Sequence, residues 1–376
     1  MKPASGTHPV ITAVEPLLLR LPLERPISGP FGRLEARPNL LVRVTLEGGQ
    51  TGLGEVWANF PPWGCQERID IVRHVLAPFL VGQVLDDPVR LYGAMHRRLR
   101  LLANQWGAPG PVHQAVAGVD IALWDAHARL AGLPLARMLR GDGIMPARVP
   151  VYASGIAPPH VSTTIADAMH RGHCRFKIRF SFGEDTDRET IRTARALAGD
   201  RPVMADANQT MTRESFLAMA PLLKECRLEF LEEPFPVDDT QAYRAWPRDL
   251  GIPLAFGENA QGLASLEDVI GMADFVQPDI TKTGGISEGL VIGRKAVAAG
   301  KKLCFHMFGG AVGLYASAHL TAAIDGAHWL EMDANPNPLF DSTLDVKPAV
   351  ADGALVMPQG PGLGIALAPE AIERWG

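Results

Sequence analysis

Residues 230–237 read FLEEPFPV, an apolar run that closes on two adjacent acids, Glu232 and Glu233, before a proline. A strand entering a core does not end in paired carboxylates without something to neutralise them, because burying an unpaired charge costs several kcal/mol or more. The stretch therefore predicts a cation at the end of a buried strand. The same construction recurs. From residue 147 onward, short apolar segments alternate with amphipathic helical ones, the pattern of a parallel α/β sheet or barrel. Eight such strands are present: VPVYASG (149–155), CRFKIRF (174–180), PVMADAN (202–208), LEFLEEP (228–234), PLAFGEN (253–259), FVQPDI (275–280), KLCFHM (302–307) and HWLEMD (328–333). Eight strands predict closure into a (β/α)8, TIM-like barrel.

Strands two to eight each end in an ionisable residue: Lys177 with Arg179, Asp206, Glu232 with Glu233, Glu258, Asp279, His306 and Glu331. From Asp206 to Glu331 the steps are 26, 26, 21, 27 and 25 residues, each close to one strand, one helix and two loops. The C-terminal ends of barrel strands form the catalytic face, so these groups are expected to ring one mouth. Asp206, Glu232 and Glu258, on three neighbouring strands, would repel one another unless a divalent cation lay between them. Their hard oxygens favour Mg2+, or Mn2+, over zinc. Glu233 is expected to point elsewhere. Lys177 and Arg179 share a strand face. Their mutual repulsion is expected to lower the lysine pKa. The arginine stays protonated and suits substrate binding, whereas Lys177 suits either binding or proton transfer. Asp279 on strand six can hold one nitrogen of His306 on strand seven and leave the other free, which prepares a base. Cys304 shares that face and reads as buried filler.

The remaining sequence frames this barrel. The chain has 376 residues, a net charge of -5 and 47% hydrophobic residues, which offers no basic footprint for nucleic acid. The four cysteines are far apart, so neither a disulfide framework nor a thiolate zinc site is indicated, and a cytoplasmic setting is expected. The apolar patch near the N-terminus is short, broken by Arg20 and flanked by prolines, unlike a signal peptide or membrane span. Residues 1–126 read as an α+β capping domain: β-rich runs with a Gly-Gly hairpin turn, then helices, the last ended by Gly132 as a C-cap. Residues 127–344 form the barrel. The Gly/Pro-rich segment 345–376 is expected to return to the cap.

Taken together, MADAN, FLEEP, FGEN, QPDITKTGG, CFHMF and HWLEMD resemble the enolase superfamily, and within it the mandelate racemase subgroup, over nearly the whole chain. The resemblance makes Asp206, Glu232 and Glu258 ligands of Mg2+. It makes His306 and Asp279 the catalytic dyad, with Lys177 supporting the developing charge. It makes Glu331, protonated, the partner of the substrate carboxylate, and it turns Asn208 toward the substrate. Superfamily sites use a Lys or His base with magnesium to stabilise an ene-diolate. The related muconate-cycloisomerising subgroup has a lysine where Asp279 stands, which argues against that assignment; Lys282 occupies a place where both subgroups keep a lysine. Arg179 replaces the second, proton-transferring lysine of the racemase. One good base favours dehydration of an aldonate or aldarate to a 2-keto-3-deoxy acid. Racemisation or epimerisation of a 2-hydroxy acid, with Lys177 as second base, and a non-catalytic sugar-acid binder remain the alternatives; a metal hydrolase is a third candidate, but strand one lacks the His-x-His such barrels usually carry. By family analogy, specificity is expected in the cap stretches 27–34 and 54–64, where Trp57, Phe60 and Trp63 shape a pocket and Arg33 reaches a distal carboxylate. Relatives are commonly dimers or octamers, so a homo-oligomer with a small-molecule carboxylate substrate is expected.

Overall fold

The structure, a computed structural model, describes residues 8–29, 32–61, 63–141 and 144–376; residues 30 and 31 of the cap stretch 27–34, and residue 62 of the stretch 54–64, lie outside them. Three antiparallel strands, β1 (Ile11–Gly29), β2 (Gly32–Leu46) and β3 (Thr51–Val56), form the cap sheet in the order β1-β2-β3. Helix Pro88–Trp106 packs on the cap core through Leu91, Met95, Leu99 and Ala103, a four-residue repeat that makes one apolar stripe. Helix Pro109–Leu130 is buried along most of its length between the cap sheet and the second domain. It ends where expected: Gly132 follows with φ 65°.

All eight predicted barrel strands form, as β4 (Arg148–Ile156), β5 (Phe176–Arg179), β6 (Val203–Asp206), β7 (Leu231–Glu232), β8 (Leu254–Phe256), β9 (Phe275–Val276), β10 (Lys302–Phe305) and β11 (Trp329–Asp333). Each pairs in parallel with its neighbour, and β11 pairs with β4, which closes the barrel. The tail returns in two steps. Strands β12 (Val350–Ala351) and β13 (Ala354–Val356) make a hairpin whose second strand pairs antiparallel with β4. Beyond it, Leu363 N–H donates to Asp125 of the long cap helix at 2.7 Å. Among the described residues no helix is long and apolar enough to cross a membrane.

Strand parity builds the mouth. Side chains two apart on a strand point the same way. Tyr152, Met204, Phe230, Cys304 and Trp329 fill the barrel interior, with Ala255 and Phe275. The residues two further along are Ser154, Asp206, Glu232, His306 and Glu331. The plug therefore forms the floor of the polar ring above it. Glu258 breaks the parity, standing three residues beyond Ala255. Gly257 makes the break with φ 141°, and a Cβ there would lie 3.1 Å from the Gln277 backbone nitrogen, so no other residue fits without displacing the neighbouring strand.

Candidate active site

Register brings the mouth residues side by side, with Arg179 opposite Asp206 and Asp206 opposite Glu232 on adjacent strands. Arg179 and Asp206 border a cavity lined also by Lys177, Asn208, Glu258, Lys282, His306 and Glu331, and roofed from the cap by Trp57 and Phe60. Two predicted cap contributors lie away from it. Trp63 is 75% exposed. Arg33 is exposed and pairs with Glu35 at 3.4 Å; it sits toward the far end of a two-stranded arm, where water competes for its charge.

The cation demanded by the opening stretch is Lys177. Its Nζ donates to both Glu232 oxygens, at 2.8 and 2.7 Å, and lies 2.8 Å from Glu331 and 4.0 Å from Asp206. The expected depression of its pKa is therefore corrected. Burial acts to lower it, but the carboxylates Glu232, Glu331 and Asp206 outweigh burial and raise it, so Lys177 is held protonated. The lysine answers to acids on other strands, not to Arg179 two residues along its own.

Glu331 is likewise corrected. Burial favours its neutral form, yet Lys177, His306 and the Ser154 hydroxyl hold its carboxyl below the usual range, so it stands ionised. Tyr152 OH also donates to it at 3.0 Å. His306 Nδ1 lies 2.8 Å from Asp279 Oδ2, and Asp279 Oδ1 accepts from Thr281 N–H and its hydroxyl, both at 2.7 Å. The dyad is thus assembled with its acid fixed in orientation. The second nitrogen is not free, as the sequence reading had it: His306 Nε2 lies 2.6 Å from Glu258 Oε2. Burial would favour neutral imidazole, but Glu258 and Glu331 raise the His306 pKa well above its ordinary value.

Among the described residues no three His, Cys, Asp or Glu side chains are gathered as tightly as a metal ion gathers its ligands. Asp206, Glu232 and Glu258 each turn to protein donors. Asp206 accepts from Asn208 N–H and Nδ2, both at 2.8 Å, Glu232 from Lys177 and Gln277, and Glu258 from His306 and from Lys282 at 3.1 Å. The residues nonetheless fit Mg2+. Among the described residues, six buried carboxyl groups (Asp206, Glu232, Glu233, Glu258, Asp279 and Glu331) gather around the permanent cations Lys177, Lys282 and Arg179, an excess of acidic groups over cations. One ammonium does not neutralise its surroundings: burial and neighbouring acids hold Asp206 and Glu232 above the carboxylate range. Asn208 Oδ1 is buried without a hydrogen-bond partner, a further hard oxygen beside the trio. Such a donor set suits a magnesium-type cation.

Glu233 points away from the trio, to Gln209 Nε2 at 2.9 Å and Asn259 Nδ2 at 2.9 Å, and burial with the Glu258 and Asp206 charges pushes it up to about 8. Cys304 is fully buried in the plug, and burial raises its thiol pKa. Lys282, noted in the sequence for its place but given no role, lies 4.7 Å over the Trp57 ring, and three contributors lay outside the sequence reading: Ser154, Tyr152 and Gln277. Gln277 carried a signal, being two residues before Asp279, and Ser154 another, two after the interior Tyr152.

Comparison with known proteins agrees with this architecture. The family described as Enolase C-terminal domain-like matches residues 161–371, and Mandelate racemase / muconate lactonizing enzyme, N-terminal domain matches residues 14–140. Muconate cycloisomerase 1 of Rhodococcus opacus is 30% identical, over 97% of this chain and 98% of its own. L-talarate/galactarate dehydratase of Salmonella typhimurium is 29% identical, over 99% and 92%. A solved mandelate racemase/muconate lactonizing enzyme from Bordetella bronchiseptica RB50 superposes with a TM-score of 0.88 at 36% identity, covering 97% of this chain and 99% of that one. Overall similarity thus spans enzymes of different reactions, and the side chains at the mouth must discriminate.

Proposed function

The chain belongs to the enolase superfamily, in its mandelate racemase subgroup, and from that premise we propose a magnesium-dependent lyase that removes water from a sugar acid. The observation carrying this reading is the asymmetry of the cavity. One wall holds a histidine braced by an aspartate. The other holds Lys177, kept protonated by three carboxylates, and Arg179, which does not deprotonate. One base suits elimination better than the two-base exchange of a racemase.

Asp206, Glu232 and Glu258 would hold Mg2+, which superfamily members bind; when bound it supplies positive charge to the substrate carboxylate as negative charge develops there. Asp279 fixes the His306 tautomer and aims Nε2 into the cavity. Glu258 must turn from Nε2, and the imidazolium must give up to solvent the proton it holds there, before that nitrogen can take the proton α to the carboxylate. As the Cα–H bond breaks, its electron pair moves into the carboxylate to give an ene-diolate, and Lys177 lies where an ammonium stabilises that charge. The pair then returns to form the Cα–Cβ double bond as the β C–O bond breaks. The hydroxyl leaves as water, with the proton carried by Nε2. The enol takes a proton at Cβ and loses the one on its 2-hydroxyl, giving a 2-keto-3-deoxy acid. Trp57 and Phe60 roof the site and restrict water.

Incubating the protein with Mg2+ and a panel of aldonates and aldarates, with detection of keto acid, tests this. Keto acid from a panel member is the expected result. Exchange of the α hydrogen in deuterated water with every hydroxyl retained would overturn dehydration in favour of racemisation or epimerisation. If His306→Asn left biological activity unchanged, the binder would replace both.

A further inference from the structure

Three alternate cap residues, Glu55, Trp57 and Asn59, touch the barrel loops that follow both members of the dyad. Glu55 Oε1 accepts from Gly310 N–H at 2.6 Å and Oε2 from Gly313 N–H at 2.8 Å, at the N-terminus of helix Ala311–Ala323. Trp57 N–H donates to Thr281 C=O at 3.1 Å, and Thr281 is the residue whose N–H and hydroxyl orient Asp279. Asn59 Nδ2 donates to Phe308 C=O, two residues beyond His306. The fit is close: a Cβ on Gly309 would lie 2.6 Å from Glu55 Oε1, and one on Gly310 2.9 Å from Oε2, so either would push the Glu55 carboxylate aside. The pair of glycines after His306 thus lets the loop close on this carboxylate. A buried acid is costly unless satisfied, and Glu55 is 3% exposed. Both of its oxygens are spent on the loop and helix that follow His306.

We propose that Glu55, with Trp57 N–H and Asn59 beside it, is a positioning residue of the cap that sets the hydrogen bond between His306 and Asp279. It touches neither substrate nor the reacting atoms. It fixes the strand-seven loop while Trp57 fixes the strand-six loop, so one rigid segment determines the separation of the two. Small displacements of a base from its proton cost large factors in rate.

The inference rests on the reading of His306 and Asp279 as the reacting pair, but its first test needs no substrate. In full-length protein labelled with 15N-histidine, the His306 imidazole signals are assigned by their loss in His306→Asn. Glu55→Gln keeps the shape and removes one acceptor. The His306 Nδ1 signals should move or broaden, those of His319 in helix Ala311–Ala323 should stay, and Glu55→Asp should bring partial return. Unmoved His306 signals in Glu55→Gln, even with a lowered melting temperature, would overturn the proposal. If Glu55→Gln does not fold, Asn59→Ala carries the same test. On any panel acid turned over, Glu55→Gln should lower kcat at least about tenfold with KM within about twofold; equal loss in Arg43→Ala, which removes an exposed cap ion pair with Glu15, would mark a general effect of the cap and overturn it. A panel without turnover would count against the lyase reading alone, and the NMR arm would still decide.

Discussion

Two sets of acids are buried in this molecule, and they are buried differently. Along the seam between cap and barrel, each acid meets donors made to fit it. Glu55 accepts two backbone N–H groups, Asp120 accepts Ser287 N–H and its hydroxyl at 2.9 and 2.7 Å, and Asp125 accepts Leu53 and Leu363 N–H at 2.8 and 2.7 Å and pairs with Arg129. At the mouth, Asp206, Glu232 and Glu258 face one another and share ionised side chains. Burial is equal in the two places, and partners distinguish them. Backbone donors hold an acid in one place and join two domains. Facing acids with borrowed cations form a set that a free cation can reorganise.

The comparison breaks most completely on metal removal. EDTA should abolish keto acid formation and α-hydrogen exchange, and added Mg2+ should restore both. Circular dichroism should show the fold retained, because the seam and not the mouth joins the domains. Activity undiminished after chelation would leave the mouth acids no different in kind from those of the seam. Next in size, His306→Asn should lower turnover by roughly 10²- to 10⁴-fold, the usual contribution of a general base. Mg2+ binding measured by calorimetry should persist. Loss of Mg2+ binding instead would show that Glu258 depends on His306 for its place.

Much of this was legible in the sequence, for a reason that also sets the limit. Strand ends at steady intervals, each closing on a charged group, reveal the barrel and its ring, since parity and spacing are local properties. Asp279 and His306 were readable as a pair because adjacent strands in order bring them together. Partners across the barrel were not. The pKa of Lys177 depends on Glu232 and Glu331, 55 and 154 residues away, whereas the sequence offered only Arg179 two residues on. The second partner of His306 depends on the reversal at Gly257. Glu55 lies within the cap stretch 54–64 but carries no local signal, because its donors lie some 255 residues further along. The hairpin that ties the tail to β4 was hidden likewise in a Gly/Pro-rich run.

The seam supplies a smaller effect with a definite sign. Burial raises Glu55 from 4.5 to about 7, the Gly310 and Gly313 N–H groups notwithstanding. Unfolded chain loses this proton near pH 4.5 and folded chain near pH 7, so the folded state binds the extra proton between the two. Stability from this group is full below about pH 4.5, falls as pH rises, and is lost above about pH 7. At about 1.4 kcal/mol per unit of pKa, the change is on the order of 3 kcal/mol. Denaturant unfolding of Glu55→Gln against the unaltered protein should show the difference moving in the variant's favour from pH 4.5 to 7, then holding level. A flat difference across that window would mean that Glu55 is ionised throughout and that its donors balance its burial.

The smallest effect concerns a charge that neither set contains. Arg33 was expected to reach a distal carboxylate, but 62% of its side chain is exposed and its partner Glu35 is exposed by 78%. An ion pair in such surroundings contributes about 0–1 kcal/mol, because water screens it and two long side chains must be held still. Arg33→Ala should therefore leave melting temperature and kcat unchanged and KM within about twofold, in contrast to Arg179→Met, which removes a cavity-lining guanidinium and should raise KM by roughly ten- to a hundredfold through a lost charged hydrogen bond. If Arg33→Ala raised KM as Arg179→Met does, substrate would have to draw the β1–β2 arm down over the mouth. The cap would then act on the site through a moving charge as well as through the fixed contacts of residues 55–59.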